Sequence, residues 1–174
     1  KYGFASKGVS VVAFSTRELR QLTHCPDTTG PSLYVTPTLQ GARSGATIAQ
    51  AWATLVHLGT EGYLSTTRRL HRVFSRVQDE VRAMEDVQLV CESDCAVIPI
   101  TSQTVDIYVV SSLMDQRGWN CFTCRDPPCL SLCVGLQHEH VVEEWLQDLR
   151  ECVQVAKADP TLRPEGDAGV YGAA

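Results

Sequence analysis

The sequence predicts a mixed α/β fold made of two parts, and three patterns support this prediction. A short β-branched run at 9–14 precedes a proline-containing loop and a helix in the first part. A long amphipathic helix follows at about 63–84. Beyond it, the order strand, strand, helix, strand, helix is typical of a small antiparallel sheet with helices on one face.

The elements of the first part are predicted from apolar runs and turn residues. The run from Val9 to Phe14 is short and β-branched, which is typical of a buried strand. The segment 25–37 contains three prolines and Gly30, so we predict a loop. Residues 46–58 contain helix formers and no proline, so we predict a helix that ends where Gly59 and Gly62 follow.

The long helix has one apolar face and one basic surface. Its apolar side chains recur at the spacing of a single helical face: Leu70, Val73, Phe74, Val77, Val81 and Met84. Arginines occupy the rest of the surface: Arg68, Arg69, Arg72 and Arg76. Such a basic run could bind an anion, but we favour a solvated helix face.

The last part alternates short strands with helices. We predict strands at 87–91, 96–100 and 129–134, and helices at 105–117 and 140–157. The second of these helices has a set of residues predicted to face inward: Val141, Val142, Trp145, Leu146, Leu149, Cys152 and Val153. The remaining tail shows little periodicity.

Length, composition and charge limit the class of protein. A chain of 174 residues can bury one good core or two small ones. Hydrophobic residues at 44% and charged residues at 20% are typical of a globular protein. The formal net charge of -5 argues against nucleic-acid binding, which requires a basic face. No apolar run reaches about 18 residues, so we predict no transmembrane helix.

Eight cysteines are present, and four of them lie close together in sequence. Cys121 and Cys124 have the two-residue gap of a metal or redox pair, and Cys129 and Cys133 follow soon after. One hypothesis is a zinc site. However, residues 129–134 alternate apolar with small side chains as a strand does, and ligand pairs on one short strand would not converge tetrahedrally. We therefore favour reduced, structural cysteines and no metal.

The N-terminal octapeptide Lys-Tyr-Gly-Phe-Ala-Ser-Lys-Gly is the segment most informative about function. It holds Lys1 and Lys7 in a short loop with two glycines, which let a backbone approach a ligand closely. A lysine near a desolvated pocket becomes an amine able to form an imine. A second lysine nearby can hold a phosphate as a point charge.

This octapeptide resembles the cofactor-lysine segment of the sphingosine-1-phosphate lyases, pyridoxal-phosphate enzymes of the group II decarboxylase type. The similarity continues in order through eight further segments that together span nearly the whole chain: 34–38, 41–45, 51–53, 59–63, 106–108, 118–120, 127–128 and 170–172. Each segment alone would be a weak signal, but their common order is specific.

The resemblance implies the C-terminal portion of a fold-type-I pyridoxal-phosphate enzyme. The end of the cofactor-binding large domain would occupy 1–62, and a connecting helix 63–86. A small α+β domain would occupy 87–160, followed by a tail at 161–174.

The resemblance also assigns roles to the two lysines. It places the lysine that forms the internal aldimine with pyridoxal phosphate on Lys1. Because a cofactor lysine normally lies deep in its fold, we expect the sequence to be a piece of a longer polypeptide. Lys7 matches the family's second lysine, which implies a ligand of the substrate phosphate; the alternative is a charge that solvates the loop.

Residues 34–38 and 41–45 match a family loop that reaches the cofactor phosphate of the neighbouring subunit. This implies that Ala42, Arg43 and Ser44 are cofactor ligands. Tyr34 is a further candidate site residue. Backbone N–H groups at the start of a helix suit a phosphate. The family commonly has serine where this chain has Ala42, so that hydroxyl contact is lost. For Arg43, a salt bridge at the helix start is an equal alternative.

The implied reaction cleaves a long-chain base 1-phosphate into a fatty aldehyde and ethanolamine phosphate. The implied assembly is a homodimer at the endoplasmic reticulum membrane with a cytosolic catalytic domain; any membrane anchor would lie outside this chain. Two alternatives stay open: an amino-acid decarboxylase of the same family, and a non-catalytic fragment or remnant. The five histidines could shuttle protons, but none lies in a matched motif, and we favour surface or core roles.

Overall fold

The computed structural model of the chain describes residues 2–38 and 40–165. The chain divides into two compact units, 1–63 and 64–174. Lys1 and the motif at 170–172 lie outside the described residues. The domain boundaries implied by the resemblance therefore stay a prediction.

The first unit contains a short helix, a hairpin and the beginning of a long helix. Helix α1 (Arg17–Gln21) begins after Thr16, whose hydroxyl oxygen accepts a hydrogen bond from a first-turn backbone N–H at 3.2 Å. Strands β1 (Cys25–Asp27) and β2 (Tyr34–Thr36) pair antiparallel. Helix α2 (Gly45–Ala83) begins in this unit and continues into the second.

Two sequence predictions for the first unit are wrong. The run from Val9 to Phe14 does not form a strand, and Val11 and Val12 are 75% and 72% exposed. A strand needs a neighbour for its backbone hydrogen bonds, and no described strand pairs with this segment. The segment 25–37 is not entirely loop, because β1 and β2 pair within it. Pro26 is tolerated there, since a strand with a single neighbour needs fewer donors.

Helix α2 consists of two helical segments that meet at a kink, as predicted. Gly59 has φ 56° and ψ -172°, a conformation outside the helical region. Glycine adopts positive φ without the steric cost that a Cβ atom would bring. The predicted break between the two helices is therefore confined to Gly59, and Gly62 is helical.

The second unit contains the rest of α2, a four-stranded sheet and two further helices. Its elements are β3 (Gln88–Leu89), β4 (Val97–Thr101), α3 (Ile107–Gln116), β5 (Phe122–Arg125), β6 (Pro128–Cys133), a 3₁₀ turn (Leu136–His140) and α4 (Val142–Ala158). The sheet is antiparallel with strand order β3-β4-β6-β5. The predicted small antiparallel sheet with helices is confirmed, and β5 is a strand that the sequence analysis missed.

One hydrophobic core fills the second unit. Ile98 lies opposite Leu132 and Ile100 opposite Leu130, so these four buried side chains share one face of the sheet. The predicted apolar faces of the helices join this core. Buried members are Val73, Phe74, Val77 and Val81 from α2, and Trp145, Leu146, Leu149, Cys152 and Val153 from α4. Leu70, Met84 and Val142 pack against it while partly exposed.

Three of the four arginines in the basic run of α2 are paired with carboxylates of the same unit. Arg69 donates to Glu139 at 2.9 Å from Nε, and Arg72 donates to the same carboxylate at 3.3 Å. Arg76 donates to Glu143 at 2.8 Å from both Nε and Nη2. Hydrogen bonding by Arg69 lowers the pKa of the Glu139 carboxyl. The basic run is therefore largely neutralised by ion pairs, rather than simply solvated or open to an external anion.

Within the described ranges, no helix has both the length and the apolar character needed to cross a bilayer.

Truncation of Leu149, which is fully buried, tests the packing of this core. Leu149→Ala should lower the free energy of unfolding by about 2–5 kcal/mol, because it removes buried methyl groups and leaves a cavity. The measurement is urea denaturation followed by the fluorescence of buried Trp145. The matched control is Val155→Ala on the same helix, which is 43% exposed and should change the value by about 0.5 kcal/mol or less. Equal effects of the two substitutions would contradict the described core.

Candidate functional site

The N-terminal loop is held in place by Tyr63 of the same unit. The Tyr63 hydroxyl donates a hydrogen bond to the carbonyl oxygen of Gly3 at 2.8 Å. The next residue, Phe4, has φ 61°, a conformation that non-glycine residues rarely adopt. Strained residues of this kind often occur at ligand sites, where the surrounding structure holds them. The sequence analysis missed this role of Tyr63, although the residue closes the matched segment 59–63.

Lys7 lies in a turn of this loop, and its side chain is exposed. It forms no ion pair with any residue in the described part of the chain. Its ammonium group is therefore available to an external anion. Lys1, predicted to be the cofactor lysine, lies outside the described residues, so the structure gives no distance between the two lysines.

An apolar cleft of about 480 Å³ lies beside the N-terminal loop, within the first unit. Its walls come from the loop and the following segment, and from α2: Gly3, Ala5, Val9, Ser10, Val11, Ala51, Leu55 and Tyr63. Small-molecule sites are typically concave and mostly apolar, with a few polar groups. The cleft has the size and lining of such a site, but none of its lining residues carries a charge.

The segment 41–45, which is predicted to reach a cofactor phosphate, is positioned by a close contact between Tyr34 and Gly41. A Cβ atom at Gly41 would lie 2.5 Å from the Tyr34 hydroxyl oxygen, and Gly41 has φ 68°. The positive φ therefore favours glycine at this position, and a Cβ atom would also displace the Tyr34 hydroxyl. The Gly41 N–H donates to the carbonyl oxygen of Thr38 at 3.2 Å, which closes the turn. The structure thus brings Tyr34 to the segment that contains Ala42, Arg43 and Ser44.

This segment leads directly into α2, and Ala42, Arg43 and Ser44 are all exposed. The carbonyl oxygen of Ser44 accepts hydrogen bonds from Ile48 N at 3.4 Å and from the Thr47 hydroxyl at 3.0 Å, as expected at a helix start. The first N–H groups of a helix have no acceptor within the helix, which suits them to a phosphate. The salt bridge considered for Arg43 is not formed with any described residue.

A hydroxyl group beside this turn lacks a partner. Thr38 Oγ1 is buried and makes no hydrogen bond among the described residues. An unmade hydrogen bond of a buried polar group costs free energy, so such a group usually has a ligand or partner. This atom, the exposed helix start and Arg43 together fit an anion such as a cofactor phosphate. No described contact connects Lys7 with this turn.

The structure also bears on the zinc hypothesis for the cysteines. No group of three or more His, Cys, Asp or Glu side chains in the described ranges could hold a metal ion. Burial raises the pKa of the Cys121 thiol to about 12. This value belongs to the metal-free thiol, because a bound zinc ion would itself deprotonate a ligating cysteine. The structural role of the cysteines therefore stays a prediction.

Comparison with solved structures gives the class of protein first. The chain is similar to a Lactobacillus brevis glutamate decarboxylase with TM-score 0.60 and 12% identity, over 80% of this chain and 34% of that one. It is similar to a Burkholderia pseudomallei sphingosine-1-phosphate lyase with TM-score 0.81 and 34% identity, over 91% and 36%. The fold is the C-terminal part of a fold-type-I pyridoxal-phosphate enzyme, as predicted.

Within this class, the chain is homologous to the sphingosine-1-phosphate lyases. The lyase of Arabidopsis thaliana is 36% identical over 176 residues, which cover 100% of this chain and 32% of that protein. Curated lyases match the whole chain at 27–37% identity, so the resemblance inferred from the motifs is confirmed. The chain spans about a third of the length of these relatives. No family model matches the chain.

Substitution of Gly41 tests the geometry of the turn. Gly41→Ala should destabilise it by roughly 1–2 kcal/mol, because a Cβ atom disfavours positive φ and meets the Tyr34 hydroxyl. We expect faster amide exchange across 34–45, measured by hydrogen–deuterium exchange with mass spectrometry. The matched control is Gly30→Ala, whose Cβ atom would contact nothing closer than 3.9 Å. If the two variants exchange alike, the described contact between Tyr34 and Gly41 is wrong.

Proposed function

We propose that this chain forms part of a pyridoxal-phosphate lyase that cleaves long-chain base 1-phosphates into a fatty aldehyde and ethanolamine phosphate. The observation that supports this proposal is similarity along the whole chain to sphingosine-1-phosphate lyases, together with a TM-score of 0.81 to one of them. An amino-acid decarboxylase is the weaker alternative, because the likeness to glutamate decarboxylase is 12% in sequence and extends to the fold alone.

The residues at the start of α2 fit the phosphate of the cofactor. The exposed segment from Ala42 to Ser44 offers backbone N–H groups, Arg43 offers an unpaired guanidinium, and the Thr38 hydroxyl lacks a partner. Ala42 has no hydroxyl, so its contribution is limited to its backbone N–H. Pyridoxal phosphate, when bound, supplies the electron sink for the carbon–carbon cleavage.

Each lysine has a separate task in this proposal. Lys1 holds the cofactor covalently through Nζ, which requires the amine to be unprotonated. Lys7 binds the substrate phosphate as an exposed point charge on the same loop. Tyr63 fixes the loop between them through its bond to Gly3, and thereby restricts where the Lys7 ammonium can lie.

The proposed assembly is a homodimer, in which the 41–45 segment reaches the cofactor phosphate of the partner subunit. The exposure of that segment supports this arrangement. The proposed location is the endoplasmic reticulum membrane with the catalytic domain in the cytosol.

A non-catalytic role for the isolated chain is the second proposal, and the surface of the first unit favours it. Ile48, Trp52, Leu55 and Val56 of α2 are 50–66% exposed. Apolar surface of this kind marks an interaction site. The chain alone should therefore show neither cofactor absorbance nor aldehyde release.

Labelling of Lys1 tests the cofactor assignment. In a chimera, this chain would replace the matching third of the Arabidopsis thaliana lyase. After reduction with borohydride, peptide mass spectrometry should find the pyridoxyl group on Lys1, and Lys1→Ala should abolish it. Lys157→Ala, which removes a lysine ion-paired in the second unit, should leave the label unchanged. A pyridoxyl group on any other lysine would refute the assignment.

The same chimera tests Lys7. Lys7→Ala should lower kcat/KM for a phosphorylated long-chain base about ten- to a hundred-fold, since a charge-assisted contact contributes roughly 1.5–3 kcal/mol. Lys7→Arg keeps the charge but changes its geometry, so it should restore activity only in part. Cofactor absorbance should not change. Arg20→Ala, at another exposed cation of the first unit, is the matched control. An unchanged kcat/KM in Lys7→Ala would instead support the alternative that Lys7 is only a charge that solvates the loop.

A further inference from the structure

Two cysteines face each other across the hairpin of β5 and β6. In the register of this pair, Cys124 lies directly opposite Cys129. Side chains of directly opposed residues project from the same face of a sheet. The two thiols therefore lie side by side, one strand apart.

The hydrogen bonding of the hairpin identifies the type of this pair. Beside β6, the Val134 N–H donates to the carbonyl oxygen of Ala96, and the Pro128 carbonyl accepts from the Thr101 hydroxyl, so these backbone groups point towards β4. Backbone groups alternate between the two sides of a strand, so those of Cys129 point towards β5, and Cys124 with Cys129 is a hydrogen-bonded pair whose Cα atoms are about 5.5 Å apart. Disulfides join residues with Cα separations of about 4.4–6.8 Å. The register therefore places these cysteines at a distance that a disulfide can span.

The two thiols differ in environment, and they interact. Cys124 is exposed, whereas Cys129 is 3% exposed. The pKa of the Cys129 thiol is raised to about 11, chiefly by burial and also by the neighbouring Cys124 and Cys91 thiols. The register places the two side chains opposite each other, so the two sulfur atoms are neighbours. Cys124 is thus the thiol that a reagent meets first, and Cys129 is its neighbour.

Three other cysteines of the second unit do not combine an exposed thiol with a directly opposed cysteine: Cys121, Cys133 and Cys152. Cys133 lies opposite Val97 rather than another cysteine. The charge of Cys152 acts on Cys121, but Cys152 is 1% exposed and burial raises the pKa of both thiols. Neither of these two offers an exposed thiol to begin a reaction.

We propose that Cys124 and Cys129 form a reactive dithiol site, which hydrogen peroxide converts to a disulfide across the β5–β6 hairpin. The Cys124 sulfur attacks one peroxide oxygen, the O–O bond breaks, and the released hydroxide takes the Cys124 proton to form water. The Cys129 sulfur then attacks the resulting sulfenic acid. The S–O bond breaks, and the departing hydroxide takes the Cys129 proton as a second water. Two thiols are oxidised, and one peroxide is reduced.

Peptide mapping of the native chain tests this proposal. After treatment with hydrogen peroxide, the thiol count of the chain should fall from eight by two. Trypsin cleaves after Arg117, Arg125 and Arg150, so the disulfide should join peptide 118–125 to peptide 126–150. A link between Cys121 and Cys152 would instead join 118–125 to 151–157, which has a different mass. A dithiol reagent, phenylarsine oxide, should bridge the same two peptides with loss of one water.

Serine variants locate the two sulfur atoms. Cys124→Ser and Cys129→Ser should each abolish the linked peptides and the arsenical bridge. Cys133→Ser, on the same strand as Cys129, is the matched control and should leave both intact. Linked peptides that persist in Cys124→Ser would overturn the proposal. So would a native wild-type chain that forms no link under peroxide while the urea-unfolded chain does, and this comparison does not depend on the folding of any variant.

Discussion

The antiparallel pairing of β4 with β6 is the constraint on which the second unit depends. Its register sets Ile98 opposite Leu132 and Ile100 opposite Leu130, which collects four buried side chains on one face. A slip by one residue would turn that whole set towards solvent. Helices α2, α3 and α4 all contribute buried residues to the same core, so the burial of their apolar faces follows from this one register.

The first unit has no comparable core. Among its described residues, Ala51 is the one buried hydrophobic residue, while side chains such as Trp52 and Val12 are largely exposed. The proposed cofactor and phosphate sites fall in this unit. A site needs a rigid shell behind it, and here local contacts such as Tyr63 with Gly3 supply only part of that shell. The relatives are about three times as long as this chain.

Patterns that depend on near neighbours in sequence were predicted well, and patterns that depend on distant partners were not. The buried faces of α2 and α4 follow from helical periodicity, so Val77 and Leu149 could be assigned to the core. The run from Val9 has strand propensity, but propensity does not reveal whether a neighbouring strand exists. Arg69 and Glu139 are 70 residues apart, so their ion pair could not be predicted. At the site, motifs indicated Tyr34 and Gly41 separately, whereas their contact required coordinates.

Strand β3 gives the sheet an edge only two residues long. Unpaired backbone groups on a long edge act as a template on which a strand of another molecule can add, and this is a common route to aggregates. A strand that added to β3 would gain few hydrogen bonds to offset the conformational entropy that it loses on becoming ordered. Polymerisation by sheet extension is therefore disfavoured at this edge, and association there must rely on side-chain surfaces.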